Sequence, residues 1–180
     1  MRYVAFLRGI NVGGRTIPMA ALRECCEEMG LDDVSTVLQS GNVLFRSAKG
    51  AVALKSTMEA GLRERFDYPA RVQIYPLATL QQIVDASPFF ESDPLTHSYV
   101  VFFEKGLEKQ LMAEVGDGDN DGDRLELGEG VIYWRVPKGS TLQSGFAKQL
   151  TKARYKDFHT NRNINTLRKV LAYFIVRNLA

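Results

Sequence analysis

The chain has 180 residues, of which 45% are apolar and 24% charged, and carries a net charge of +2. That balance excludes an intrinsically disordered, collagen-like or coiled-coil chain, and the length suits one medium domain or two small ones. No apolar run approaches the ~18 residues of a membrane span. The stretch between Arg2 and Arg8 is too short for a signal peptide, so the expected location is the cytoplasm.

Tyr3 to Arg8 reads as a strand, followed by Gly9, Gly13 and Gly14. Pro18 suits the first turn of a helix that carries Leu22, Cys25, Cys26 and Met29 and stops at Gly30. Val34 to Leu38 and Val43 to Phe45 are short strands separated by the turn-forming Gln39-Ser40-Gly41-Asn42. Leu54, Met58, Leu62 and Phe66 recur at the spacing of a second amphipathic helix, and Arg71 to Tyr75 closes the set as a strand. The order β-α-β-β-α-β is that of the split βαβ, or ferredoxin-like, unit.

A short helix through Leu77, Leu80, Ile83 and Val84 ends at Ser87-Pro88, and residues 88–96 read as a linker. The pattern then restarts with a strand His97 to Phe103, a helix Leu107 to Val115, an Asp/Gly loop, and a hairpin of Arg124 to Leu127 with Val131 to Val136. A helix around Leu142 to Leu150 and an extended piece near Tyr155 to Phe158 follow. The last helix places Ile164, Leu167, Val170, Leu171, Phe174 and Ile175 on one face. The expected architecture is α+β: two tandem ferredoxin-like (split β-α-β) units with antiparallel sheets and a C-terminal helix. Residues 1–87 form the first unit, and residues 97–180 form a second, less regular one that includes that helix.

The two cysteines, Cys25 and Cys26, are neighbours, a pair that suits a reducing compartment. Adjacent helix positions point about 100° apart and cannot bridge, so burial rather than redox chemistry is the simpler role. Charge is segregated. Residues 91–129 hold three basic and eleven acidic side chains, while residues 130–180 hold ten basic and one acidic. Near-neutrality overall favours an internal match of two surfaces over a basic face kept for an anionic partner.

Gly9 to Thr16 nearly spells a phosphate-binding P-loop, but Arg15 stands where the lysine belongs and Pro18 delays the helix. A looser anion-binding nest of backbone N–H groups stays open beside a plain flexible connection. In a split βαβ unit strands one and two run parallel with strand three between them, so the loop after strand one and the turn after strand two open on the same edge. That brings Arg8, Asn11, Gly13 and Gly14 towards Gln39, Ser40 and Asn42. Arg8 supplies a fixed charge and planar donor fork, and the amides each offer donor and acceptor, a set suited to a phosphate, a carboxylate or a nucleobase edge.

Asp117 to Asp123 matches the first half of a calcium loop, but the twelfth position is Gly128 and a strand follows, so a solvated connector is favoured and no metal site is assigned. Lys152 to Phe158 interleaves basic and aromatic residues as single-strand nucleic-acid binders do. Beyond it, Thr160, Asn161 or Asn163 can cap the last helix, whereas Arg162 opposes the helix dipole and calls for an anion or an acidic partner from residues 91–129. Neither His97 nor His159 has a recognisable catalytic partner, and Val43-Leu44-Phe45-Arg46 lacks the RNA-recognition signature of an RRM strand.

Three stretches together carry a family resemblance: Leu7 to Gly14, Gln39 to Phe45 and Thr160 to Thr166. In order and separation they resemble the bacterial domain-of-unknown-function family 1697 (DUF1697) over essentially the whole chain. The resemblance implies a two-part α+β protein with ferredoxin-like halves and no established activity. Its blocks fall on Arg8, Asn11, Gly13, Gly14, Gln39, Ser40, Gly41, Asn42, Arg162, Asn163 and Thr166. Ile164 stands where the family commonly has an aromatic residue, so no stacking role is carried over to it.

The function expected is binding of an anionic ligand, a nucleotide or nucleic-acid segment, at Arg8, Asn11, Gly13, Gly14, Gln39, Ser40 and Asn42, with Arg162 and Asn163 joining from the last helix. An enzyme acting on a small phosphorylated or carboxylated metabolite, and a scaffold tied together by these polar stretches, are the alternatives. No cofactor, catalytic residue or oligomeric state is assigned.

Overall fold

A computed structural model describes residues 1–11, 16–89, 93–104, 106–116 and 122–179, with side chains as far as residue 175. The chain divides into two compact units, Met1–Gln81 with Lys169–Ala180, and Gln82–Arg168. The first unit is built from β1 (Arg2–Arg8), α1 (Met19–Glu28), β2 (Asp32–Val37), β3 (Asn42–Arg46), α2 (Ala51–Phe66) and β4 (Arg71–Pro76), followed by α3 (Leu77–Asp85). Its sheet has the order β2-β3-β1-β4, with every neighbouring pair antiparallel.

The unbroken apolar run Tyr3 to Leu7 makes β1 a central strand, buried along its whole interior. Tyr3, Ala5 and Leu7 point to one face, where they join Val43, Phe45, Leu22, Cys26, Leu54, Met58 and Leu62 in a single core. The i, i+4 spacing of Leu54, Met58 and Leu62 is what lays α2 on that face. Deleting such a side chain, as in Leu54→Ala, costs about 2–5 kcal/mol. Val4 and Phe6, on the other face, are also fully buried, and the Tyr75 ring lies tilted against Phe6 at 6.3 Å.

Helix α1 follows Pro18 as the sequence predicts. It approaches α2 so closely that a Cβ on Gly61 would stand 2.7 Å from the Met29 methyl. That neighbour is the flexible end of a methionine side chain, so a small substituent at Gly61 would displace it at low cost.

The second unit contains β5 (Thr96–Phe103), α4 (Leu107–Val115), β6 (Arg124–Gly128), β7 (Val131–Pro137), α5 (Gly145–Leu150), α6 (Ala153–Lys156) and β8 (His159–Asn163). Its sheet order, β6-β7-β5-β8, repeats that of the first unit position for position, again wholly antiparallel. The second unit is thus also a split βαβ, with the additional short helix α6 ahead of its last strand. Its core gathers Val101, Phe103, Ile132, Trp134, Val136, Leu111, Phe146, Leu150 and Tyr155. Trp134 meets Phe146 edge-on at 5.3 Å and Tyr99 at 5.2 Å, geometries that favour the aromatic quadrupoles.

Three sequence expectations shift here. The extended piece falls at His159–Asn163, while Tyr155 belongs to α6 and buries its ring completely. The polar sequence of β8 shows no apolar alternation, and its strand conformation comes from pairing with β5. The helix expected from Leu142 begins at Gly145, where Ser144 Oγ accepts from Ala147 N at 3.0 Å as its cap, and Leu142 is exposed. Finally, α7 (Ile164–Leu179), expected within the second unit, contributes its residues from Lys169 onward to the first. Helical periodicity identifies a buried face without saying which core it meets, and Ile175 lies exposed.

The segregated charges partly meet within the second unit. Arg135 pairs with Asp93 and Arg154 with Glu114, each joining the basic C-terminal segment to the acidic one before it. The acidic run reaches its end at Asp123, which is fully buried and accepts from Trp134 Nε1 at 3.1 Å and Phe146 N at 3.2 Å. Its carboxylate serves the core, and the preceding positions 117–121 lie outside the described residues.

Candidate functional site

β1 runs out at Arg8, and two of the next three residues take positive φ, Gly9 at 67° and Asn11 at 54°. Asparagine tolerates this left-handed region because its short amide bonds locally. Asn11 uses both ends of that amide: Nδ2 donates to Gln39 O at 2.8 Å and Oδ1 accepts from Ile17 N at 2.7 Å. One side chain thereby ties the loop after β1, the entry to α1 and the β2–β3 turn together.

The turn is braced from its other side. Leu7 N donates to Gly41 O at 2.8 Å, and Gly41 itself holds φ 70° with a Cβ position only 2.5 Å from Ile10 Cγ2. Asn42 is fully buried, and its Nδ2 donates to Val37 O at 2.8 Å and to Ser40 Oγ at 2.9 Å. The two corners predicted to meet do meet, through Asn11 and Gln39. Asn11 and Asn42 are the fasteners, whereas Gln39 and Ser40 are exposed and Arg8 is half-buried. Gly13 and Gly14 lie outside the described residues.

Antiparallel pairing adds a residue that lies outside the sequence motifs. The register sets Arg71, the first residue of β4, opposite Arg8, the last of β1. Two arginines therefore face each other across the β1–β4 pair, and Arg71 Nη1 pairs with Glu59 Oε2 at 4.0 Å. The signal was present in the sequence, since a split βαβ unit always pairs the end of its first strand with the start of its fourth. Tyr68 supports this corner by donating its hydroxyl to the Arg8 carbonyl.

Arg162 and Asn163 lie in the second unit, on β8. Arg162 is buried, paired in register with Val100, and donates through Nη1 to Thr160 Oγ1 at 2.8 Å and to Asn161 O at 2.7 Å. It therefore occupies a strand, where the sequence places it at a helix tip. Asn163 is the cap, its Oδ1 accepting from Asn165 N at 2.9 Å. His159 holds its Nδ1 2.8 Å from Tyr155 O.

Both cysteines are buried in the α1 face of the core. Burial pushes the Cys26 thiol up to about 12 and raises Cys25 as well, with Glu28 adding to the latter. Thiols held protonated are poor nucleophiles and poor metal ligands. Among the described residues no group of three or more His, Cys, Asp or Glu side chains converges as a metal set, and no helix is long and apolar enough to cross a membrane.

Comparison with known proteins places this geometry. A solved structure, described as that of the conserved bacterial protein SP0830 from Streptococcus pneumoniae, is similar over 96% of this chain and 97% of its own, at 26% identity and a TM-score of 0.80. No curated protein matches. The model of a family described as "Protein of unknown function (DUF1697)" matches residues 1–133, which include both loops of the corner and the whole first sheet, and the chain belongs to that family.

Proposed function

We propose that the chain binds an anionic ligand, a nucleotide or a segment of nucleic acid, at the loop corner of the first unit. The observation that carries this is the Asn11 Nδ2 to Gln39 O bond, which holds two polar loops together while leaving Gln39 and Ser40 exposed beside Arg8. Arg8 and Arg71 supply positive charge at adjacent strand ends, and Gln39 and Ser40 supply neutral hydrogen bonds. Asn11 and Asn42 act by positioning. Gly13 and Gly14, expected from the sequence to belong to this site, lie outside the described residues. Arg162 is buried and Asn163 caps α7, so the proposal is confined to the first unit.

A scaffold role has one observation in its favour, the complete burial of Asn42 with both amide protons given to its own turn. Titration with ATP and with a fluorescent oligothymidylate separates the two. Binding that Arg8→Ala weakens at least tenfold, with the melting temperature nearly unchanged, supports the site. Equal loss of binding and stability, or no binding by the native chain, leaves only the scaffold. Oligonucleotide affinity that falls steeply with salt selects nucleic acid over nucleotide.

A further inference from the structure

At the opposite end of the first sheet, where β1 begins and β3 ends, lies a pocket of about 210 Å³. The loop corner is formed by the end of β1 and the start of β3, so the two sites share strands but no residues. The pocket's floor is the cross-strand pair Ser35 and Leu44. Between Asp32 and Ser35 the β2–β3 register shifts, and Asp33 takes φ 50°. Irregularities of this kind recur beside functional sites because they re-aim a side chain out of the ladder.

Ser35 is the decisive residue. It is 4% exposed, and its Oγ is buried with no hydrogen-bond partner. A hydroxyl withdrawn from water without a partner is unfavourable, and each such group in a folded protein calls for an explanation. Ser35 is among the residues that line the cavity, so a bound molecule that shifts the atoms covering its Oγ can supply what the protein does not.

The walls define that molecule. The Arg2 guanidinium sits 4.6 Å from the centroid of the Phe174 ring, a cation–π contact that orients it. Arg46 Nε is 2.7 Å from Asp33 Oδ2. The lining thus holds two guanidiniums against one carboxylate, leaving one positive charge. The Tyr173 ring, 43% exposed, stands at the mouth beside Phe174. Both rings belong to the part of α7 that is in the first unit.

We propose that this pocket binds a small aromatic monocarboxylate. Its carboxylate bridges Arg2 and Arg46 and accepts from the Ser35 hydroxyl, and its ring lies between Leu44 and the Tyr173 and Phe174 rings. Planar guanidinium matches carboxylate in a bidentate fork. The volume falls below the ~300 Å³ at which pockets for drug-sized ligands begin, which suits a body of one or two rings.

Amide and side-chain NMR titrations with benzoate, benzamide and cyclohexanecarboxylate test this. Benzoate is expected to shift Ser35, Arg46 and Phe174 resonances and to bind at least tenfold tighter than neutral benzamide and severalfold tighter than the non-aromatic acid. Arg2→Gln and the exposed Arg46→Gln should each weaken benzoate at least fivefold, and Ser35→Ala about threefold or more without lowering the melting temperature. Equal affinity for benzoate and benzamide would overturn the proposal. So would shifts that avoid the pocket, or a Ser35→Ala variant that loses stability while binding benzoate normally. Arg8→Ala should leave benzoate binding unchanged, which keeps this test separate from that of the loop corner.

Discussion

The side-chain amide of Asn11 donates to the main-chain carbonyl of Gln39 across 28 positions of sequence, at 2.8 Å. The same side chain accepts from Ile17 N, so removing it frees three segments at once. Asn11→Ala should destabilise the protein by about 1–3 kcal/mol, since it loses two hydrogen bonds and places alanine at positive φ. Asn11→Gly removes the backbone strain and should lose less. Urea denaturation of both variants checks the order, and equal stability of Asn11→Ala and the native chain would remove Asn11 as a fastener.

Gly41 cannot accept a side chain without displacement. A Cβ there would lie 2.5 Å from Ile10 Cγ2 and 3.0 Å from Leu7 Cβ, on a residue at φ 70°. Gly41→Ala is expected to cost about 1–3 kcal/mol from the unfavourable backbone region alone, with the clash adding to it. Calorimetry should show a Tm lowered by several degrees.

Asp123 is an acid with a structural task. Its two oxygens accept from the Trp134 indole and the Phe146 amide, all within the core of the second unit. Asp123→Ala leaves two buried donors unsatisfied and should destabilise by about 3 kcal/mol. Trp134 is the only tryptophan, so its emission reports the loss directly. Asp123→Asn keeps one acceptor and is expected to fall between the alanine variant and the native chain.

The cysteines set an alkaline limit. Burial pushes Cys26 from its ordinary value of 9.0 up to about 12 and raises Cys25 and the Tyr133 hydroxyl in the same direction. In each case the protonated form is favoured by folding. The stabilisation is therefore complete below pH 9 and is lost as pH climbs from 9 towards 12. The urea midpoint should fall between pH 8 and pH 10.5, by less in a Cys26→Ala variant measured against its own pH 8 value. At pH 8 both thiols should resist iodoacetamide until urea unfolds the chain.

Much of the architecture was legible because it rests on local signals. The apolar run Tyr3 to Leu7, the spacing of Leu54, Met58 and Leu62, and the turn Gln39 to Asn42 each specify an element from a few neighbouring side chains. Their order then identifies the split βαβ unit, and with it the meeting of Asn11 and Gln39. The sequence points to an extended piece a few residues too early, near Tyr155 to Phe158, because His159 to Asn163 has no strand pattern of its own. For the same reason the sequence alone sets Arg162 at a helix tip, whereas it lies on β8.

By itself, the amino-acid order determined the elements, the repeated topology and the edge on which two polar loops converge. Tertiary structure alone decided what each polar group there does. It buried Asn42, gave both ends of the Asn11 amide to the backbone, set Arg71 beside Arg8, and left the Ser35 hydroxyl buried without a partner. The physical reason is that periodicity reports only which side of a strand or helix avoids water. Whether a donor finds a partner depends on distances of a few tenths of an ångström between segments far apart in the chain.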